Sequence, residues 1–206
     1  MCYNAQVSGG TFVFVSGICL WLWQRNQGID RAIAGILFFI VVMQGLEWIL
    51  WLNLDCDWIN KLVSRLIHIY IAFQPVAANF LVWFYDAGWA TGYGYLALLS
   101  LLMVPVVAWR SRKIQGKCTK IGSSGSLEWP GVPGKGSDSK LIRLVYYATL
   151  LYPILTLKNA FFSVAYSVSA AASLWYFQDR SETAWPSLWC HFVNLLSVFA
   201  VLRPAP

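Results

Sequence analysis

The chain has 206 residues and a formal net charge of +6; it is 58% hydrophobic, 17% aromatic and only 12% charged. An ordinary soluble domain carries roughly 25% charged residues, and the mean hydropathy here is +0.57. A soluble globule cannot hide that much apolar surface. The composition therefore excludes a soluble enzyme, a disordered chain, a coiled coil and a nucleic-acid binder, and it predicts an integral membrane protein.

The first residues, Met1-Cys2-Tyr3-Asn4-Ala5-Gln6-Val7-Ser8, contain no basic n-region, which argues against a cleaved secretory signal. They also lack the Arg-rich amphipathic pattern of a mitochondrial transit peptide. Sorting information is expected in the spans themselves.

A spanning helix needs about 20 mostly apolar residues. Candidate stretches are 7–23, 32–54, 61–85, 88–109, 141–157, 160–178 and 185–202. Residues 141–178 are nearly continuous and break only at Lys158-Asn159, with Pro153 just before. A single helix of that length would measure about 57 Å, too long for one crossing, so a tight helical hairpin is expected. The predicted fold is an all-α polytopic transmembrane bundle of about seven spans. It forms one domain over 1–206, with an extramembrane loop at 110–140.

That loop carries Arg110, Arg112, Lys113, Lys117, Lys120, Lys135 and Lys140 against Glu128 and Asp138. Basic residues in short loops favour the side of synthesis, so the N-terminus and the loop are expected on the cytoplasmic, matrix or stromal side. An organellar inner membrane, mitochondrial or thylakoid, is the expected location. Residues 116–139 are rich in Gly, Ser and Pro, the composition of a mobile linker. Order in such a loop requires something to hold it, such as a partner or a lipid headgroup. Anionic lipid headgroups or an acidic partner suit its basic charge better than nucleic acid does.

There are five cysteines. Cys19 lies inside the first span and reads as a small packing residue. Cys2, Cys56, Cys118 and Cys190 fall at one membrane face under the seven-span topology. They can be unlinked structural thiols, one or two disulfides, or a metal site. No CxxC pair supports the metal site, and disulfides need an oxidising face, in conflict with the charge-based sidedness.

The opening octet, residues 1–8, resembles an uncharacterised family of polytopic membrane proteins known from bacteria, algae and large DNA viruses, whose members typically start Met-Cys-Trp-Ser-Pro-Glu-Val-Ser. Met43-Gln44-Gly45-Leu46-Glu47 resembles that family's Met-Glu-Ala-Leu-Gln, and Asp55-Cys56-Asp57 its Asp-Gln-Cys turn. The stretch from Ile67 to Pro75 resembles Leu-His-Ile-x-Phe-Gln-Pro with two residues inserted, and Trp185-Pro186-Ser187-Leu188-Trp189-Cys190 matches Trp-Pro-x-x-Trp-Cys. The family's loop often carries a Cys, then a Trp-His pair and another Trp. Here Cys118 and Trp129 remain with no His between them. The resemblance implies a seven-helix membrane fold and no assigned activity.

Ionisable residues at membrane depth are functional candidates by default. Gln44 and Glu47 share a helical face, as do His191 and Asn194. His68, Pro75 and Asn79 align on the third span, and Gln74 points about a third of a turn away. One reading takes Gln44, Glu47, His68, Asn79, His191 and Asn194 as interhelical polar ties. Another takes Glu47, His68 and His191 as catalytic candidates for metal or acid–base chemistry on lipid. A third takes His68, Gln74 and Asn79 as contacts to a pigment. No metal centre is assigned, the cofactor is undefined, and structural lipids are expected. Most Trp residues fall near span ends, as an aromatic belt does.

Three functions follow. A non-catalytic accessory subunit of a larger respiratory or photosynthetic membrane complex comes first, with membrane lipids and other subunits as partners. A membrane-embedded enzyme comes second, and a small transporter or channel third.

Overall fold

The computed structural model describes residues 4–87, 92–122, 125–130, 137–157, 161, 163–168 and 196–202. The fold is predominantly helical: α1 (Ala5–Arg25), α2 (Asp30–Leu52), α3 (Trp58–Val82), α4 (Tyr93–Ser111) and α5 (Ser137–Leu155). A π-helical turn, Trp83–Ala87, continues α3, and a 3-10 turn, Arg112–Ile114, follows α4. Two further helical stretches cover 163–168 and 196–202.

Helix starts follow local chemistry. The Asn4 side chain accepts the Val7 N–H at 2.8 Å and caps α1. Asp57 does the same for α3 by accepting the Asn60 N–H at 2.7 Å. α1 stops at Asn26, whose left-handed backbone (φ 50°) turns the chain. Asp30 opens α2 and receives Arg25 through both carboxylate oxygens, at 2.6 and 2.8 Å, plus the Gln27 N–H. Asp30 is fully buried, and its charge is met by a bidentate guanidinium and a helix N-terminus. Arg25 also stacks on Trp21, and Arg31 on Trp23.

α1, α2 and α3, the last with its π turn, are each long and apolar enough to cross a membrane. They point to a membrane protein. α4 and α5 hold shorter apolar stretches, Tyr93–Trp109 and Val145–Leu155. Of the expected spans, 160–178 and 185–202 lie mostly outside the described residues. The span expected at 88–109 has its helix from Tyr93 onward, where α4 begins. Exposed Phe14, Leu20, Leu98 and Leu102 face outward, the inverse of a soluble globule.

α3 is the central helix, packed against α2, α4 and α5, and α2 in turn packs against α1. Close approach of α1 and α2 depends on Gly9, where an added Cβ would come within 2.8 Å of the Trp48 ring. One core joins Val15 and Leu22 of α1, Ile33 to Val41 of α2, Ala78 and Val82 of α3 and Leu150 and Ile154 of α5. Cys19 is buried in it as a free thiol. A second core lies at the other end of α2 and α3, where Met43, Leu50, Val63 and Ile67 enclose Leu127 and Trp129 from the loop.

The loop is therefore not a free linker over its described part. Lys120–Ile121 (β1) pairs antiparallel with Leu127–Glu128 (β2). This hairpin adds a small β element to the expected all-α fold. Gly125, at φ 74°, serves its turn, and the Gly122 N–H closes it on the Ser126 carbonyl at 2.8 Å. The loop is held by its own chain, where the composition had called for a partner or a headgroup.

Candidate functional site

The features of interest gather where α2 ends, α3 begins and the loop folds back. Cys56 and Cys118 form a disulfide there, with Cα atoms 5.3 Å apart and 62 residues of separation. Closing a loop of that length constrains the unfolded chain by about 4 kcal/mol in the chain-entropy view. Cys56 adopts φ 58°, a left-handed conformation uncommon for a residue with a Cβ. Cys2 and Cys190 lie outside the described residues.

Beside the disulfide sits a buried polar knot. Asn60 pairs with both backbone groups of Thr119: its Oδ1 accepts the Thr119 N–H at 2.9 Å, and its Nδ2 donates to the Thr119 carbonyl at 3.1 Å. Nδ2 also donates to the Asn53 carbonyl at 2.7 Å. Ser64, one turn on, donates to Asn60 Oδ1 and lies 2.7 Å from the Thr119 hydroxyl. Asn60, Ser64 and Thr119 are all buried. An amide side chain thus stands in for a missing strand neighbour and satisfies a loop backbone that would otherwise be buried unpaired.

His68 continues the same stripe, four residues beyond Ser64. Its Nδ1 lies 2.9 Å from the Ser64 carbonyl, so that nitrogen carries the proton in the neutral ring. Nε2 is buried without a hydrogen-bond partner. The indole nitrogens of Trp51 and Trp129 share that condition. On α2, Gln44 Nε2 donates to Glu47 Oε2 at 3.3 Å, and both residues are fully buried.

Gln74 and Asn79 sit further along α3. The Gln74 amide accepts the Tyr146 hydroxyl of α5 at 2.6 Å and reaches the Phe39 carbonyl of α2 at 3.4 Å. Tyr70 donates to the same Phe39 carbonyl at 2.7 Å. Asn79 Nδ2 donates to the Pro75 carbonyl and to the Thr149 carbonyl of α5, both at 2.8 Å. These contacts tie α3 to α2 and α5.

The sequence-level candidates thus divide. Glu47 and Gln44 join on α2. His68 joins the loop-end stripe. Gln74 and Asn79 join the α3–α5 contact. His191 and Asn194 lie outside the described residues. Among the described residues no group of three or more His, Cys, Asp or Glu is placed to hold a metal ion.

Asn60, Ser64, Thr119 and Leu127 escaped the sequence reading. Their signals are visible in retrospect. Asn60, Ser64 and His68 recur every four residues behind an Asp57 cap, which is one helical face. Leu127 and Trp129 alternate around Glu128, the pattern of a strand with one buried side. No protein-family model, no curated protein and no solved structure matches the chain.

Proposed function

We propose that the chain is a non-catalytic accessory subunit of a larger membrane assembly of respiratory or photosynthetic type, with seven spans in an organellar inner membrane. The observation that carries this reading is how the intramembrane polar side chains are used. Tyr70, Gln74 and Asn79 each reach a backbone carbonyl of a neighbouring helix, and Gln74 also accepts from Tyr146. Their hydrogen bonds serve helix–helix packing, each worth about 0.6 kcal/mol. The outward faces are apolar and suit lipid and other subunits as partners. The octet, Asp-Cys-Asp and Trp-Pro motifs add the resemblance to the uncharacterised polytopic family.

The test is the mass of the endogenous protein in digitonin by native gel, with mass spectrometry of whatever comigrates. Migration in a stoichiometric complex far above 23.2 kDa is the expected result. A monodisperse monomer overturns it.

One observation, at His68, favours a second reading, an enzyme acting on lipid, for which Glu47, His68 and His191 are the candidate residues. His68 Nε2 is buried with no hydrogen-bond partner, the condition of a base awaiting a proton donor. Turnover of a lipid by the purified monomer, lost in His68→Gln, would establish it.

The sidedness follows the disulfide. Lys and Arg counts favour the loop on the synthesis side, whereas a Cys56–Cys118 bond persists at an oxidising face. We propose that the N-terminus and the 110–140 loop lie on the oxidising side, where such a bond is stable.

A further inference from the structure

We propose that the loop end of the bundle is a binding site for an anionic lipid headgroup, its phosphate held by Lys61 and Arg65 of α3 and by Lys117 and Lys120 of the loop. The proposal rests on the membrane reading of α1 to α3 and not on the assembly reading.

The knot and the disulfide bring the segments that carry these four cations to one end of the bundle. Asn60 bonds both backbone groups of Thr119, so their sequence neighbours Lys61 and Lys120 flank one junction. The Cys56–Cys118 bond draws Lys117 to the same start of α3. Lys61 and Arg65 are four residues apart on one helical face. Lys61, Lys117 and Lys120 are exposed. Arg65 is half-buried, and its Nε is shielded from water with no hydrogen-bond partner. A guanidinium donor in that state lacks an acceptor, and a phosphate oxygen is the acceptor its fork geometry fits best.

The chain supplies less negative charge at this end than these four cations carry. None of the four cations forms an ion pair among the described residues, where the salt bridge is Arg25–Asp30. Asp57 is engaged as the α3 cap, Asp55 is exposed, and Glu128 stands across the hairpin from Lys120. Four cations against these three acids leave the patch positive.

Depth selects a lipid over an acidic protein. Arg65 lies seven residues into α3, about 10 Å from the helix start. Trp58, 71% exposed, begins the helix, and Trp109, 59% exposed, lies near the end of α4 on the same side. Exposed indoles mark the headgroup level, and Lys and Arg side chains snorkel to it.

The experiment uses the full chain, delipidated in mild detergent, then incubated with an equimolar mixture of phosphatidylglycerol and phosphatidylcholine and read by native mass spectrometry. Wild type is expected to retain phosphatidylglycerol selectively. Lys61→Gln with Arg65→Gln is expected to reduce that retention about tenfold, and Arg65→Lys to reduce it by less, since an ammonium keeps the charge but not the guanidinium fork. Gln24→Ala, exposed at the opposite end, is the control and keeps retention unchanged. If the α3 double variant fails to fold, Lys117→Gln with Lys120→Gln supplies the same test on exposed positions. Equal retention of the two lipids, or retention unaffected by the α3 or loop variants, overturns the site. Displacement of phosphatidylglycerol by millimolar inorganic phosphate identifies a free-phosphate site and overturns the lipid assignment. Recovery of an acidic polypeptide on these residues in place of lipid does so too. Recovery of the chain in a carbonate wash, free of the membrane, would instead sink the membrane reading itself.

Discussion

Asn60 decides how the loop meets the bundle. Its amide satisfies the N–H and the carbonyl of Thr119, and both residues are buried. Asn60→Ala removes these bonds; the Thr119 N–H keeps the Ser64 hydroxyl at 3.1 Å, and the Thr119 carbonyl loses its amide donor. The expected loss is about 1–3 kcal/mol, the cost of one buried unpaired group. Ser64→Ala, which leaves the Asn60–Thr119 pair intact, should cost less. Thermal unfolding in detergent separates the two, and equal stability of Asn60→Ala and wild type would refute the role given to Asn60. Trp129 offers the opposite case. Its ring is buried and its Nε1 lacks a partner. Trp129→Phe keeps most of the packing and deletes the orphan donor, so it should be near neutral, whereas Leu127→Ala should cost about 2–5 kcal/mol. A large loss in Trp129→Phe would mean that the indole N–H is bonded in the membrane, to water or to lipid.

The loop is also where the sequence misleads. Gly, Ser and Pro at 116–139 describe a linker, yet residues 117–122 and 125–130 form a plug with a disulfide, a hairpin and two buried large side chains. Composition counts residues and is blind to pairing. The plug is specified by three separate short signals: Cys118 beside Thr119, Leu127 alternating with Trp129, and the Asn60–Ser64 stripe some sixty residues earlier. The long helices were legible because hydropathy over about 20 residues is a local property. Gln44 with Glu47 was legible because three residues apart on a helix means one face. The partners of Gln74 and Asn79, Tyr146 and Thr149, lie on α5 and depend on how helices pack, which a period does not give.

If the disulfide staples an otherwise self-held plug, Cys56→Ser with Cys118→Ser should lower stability by about 4 kcal/mol. Amide hydrogen exchange should rise in 117–130 and stay unchanged in α1 and in the Ile33–Val41 part of α2, which pack in the core away from the loop. Uniformly faster exchange throughout would show that the bond supports the whole bundle.

Helix alternation makes the orientation of the molecule a single choice. The start of α1, the end of α2, the starts of α3 and α5 and the end of α4 share one end of the bundle, and the loop lies with them. The other end presents Arg31 and the Arg25–Asp30 pair. Two forces act on the choice in opposite senses. Insertion responds to Lys and Arg before the chain folds, and the loop carries more of them. The thiols respond to the compartment after it folds, and they are joined. In a bacterial host the two are separable. Lys120→Cys in a Cys2→Ser, Cys190→Ser background, placed on an exposed strand, reports the side through a membrane-impermeant maleimide, and the Cys56–Cys118 bond reports the redox state on a non-reducing gel after thiols are trapped in intact cells. The expected outcome is labelling from the periplasmic side with the bond formed. Labelling only after permeabilisation, with Cys56 and Cys118 free, would return the loop to the reducing side. The plug would then depend on Asn60, Leu127 and Trp129 alone, and the Asn60→Ala loss would be the larger for want of the covalent constraint.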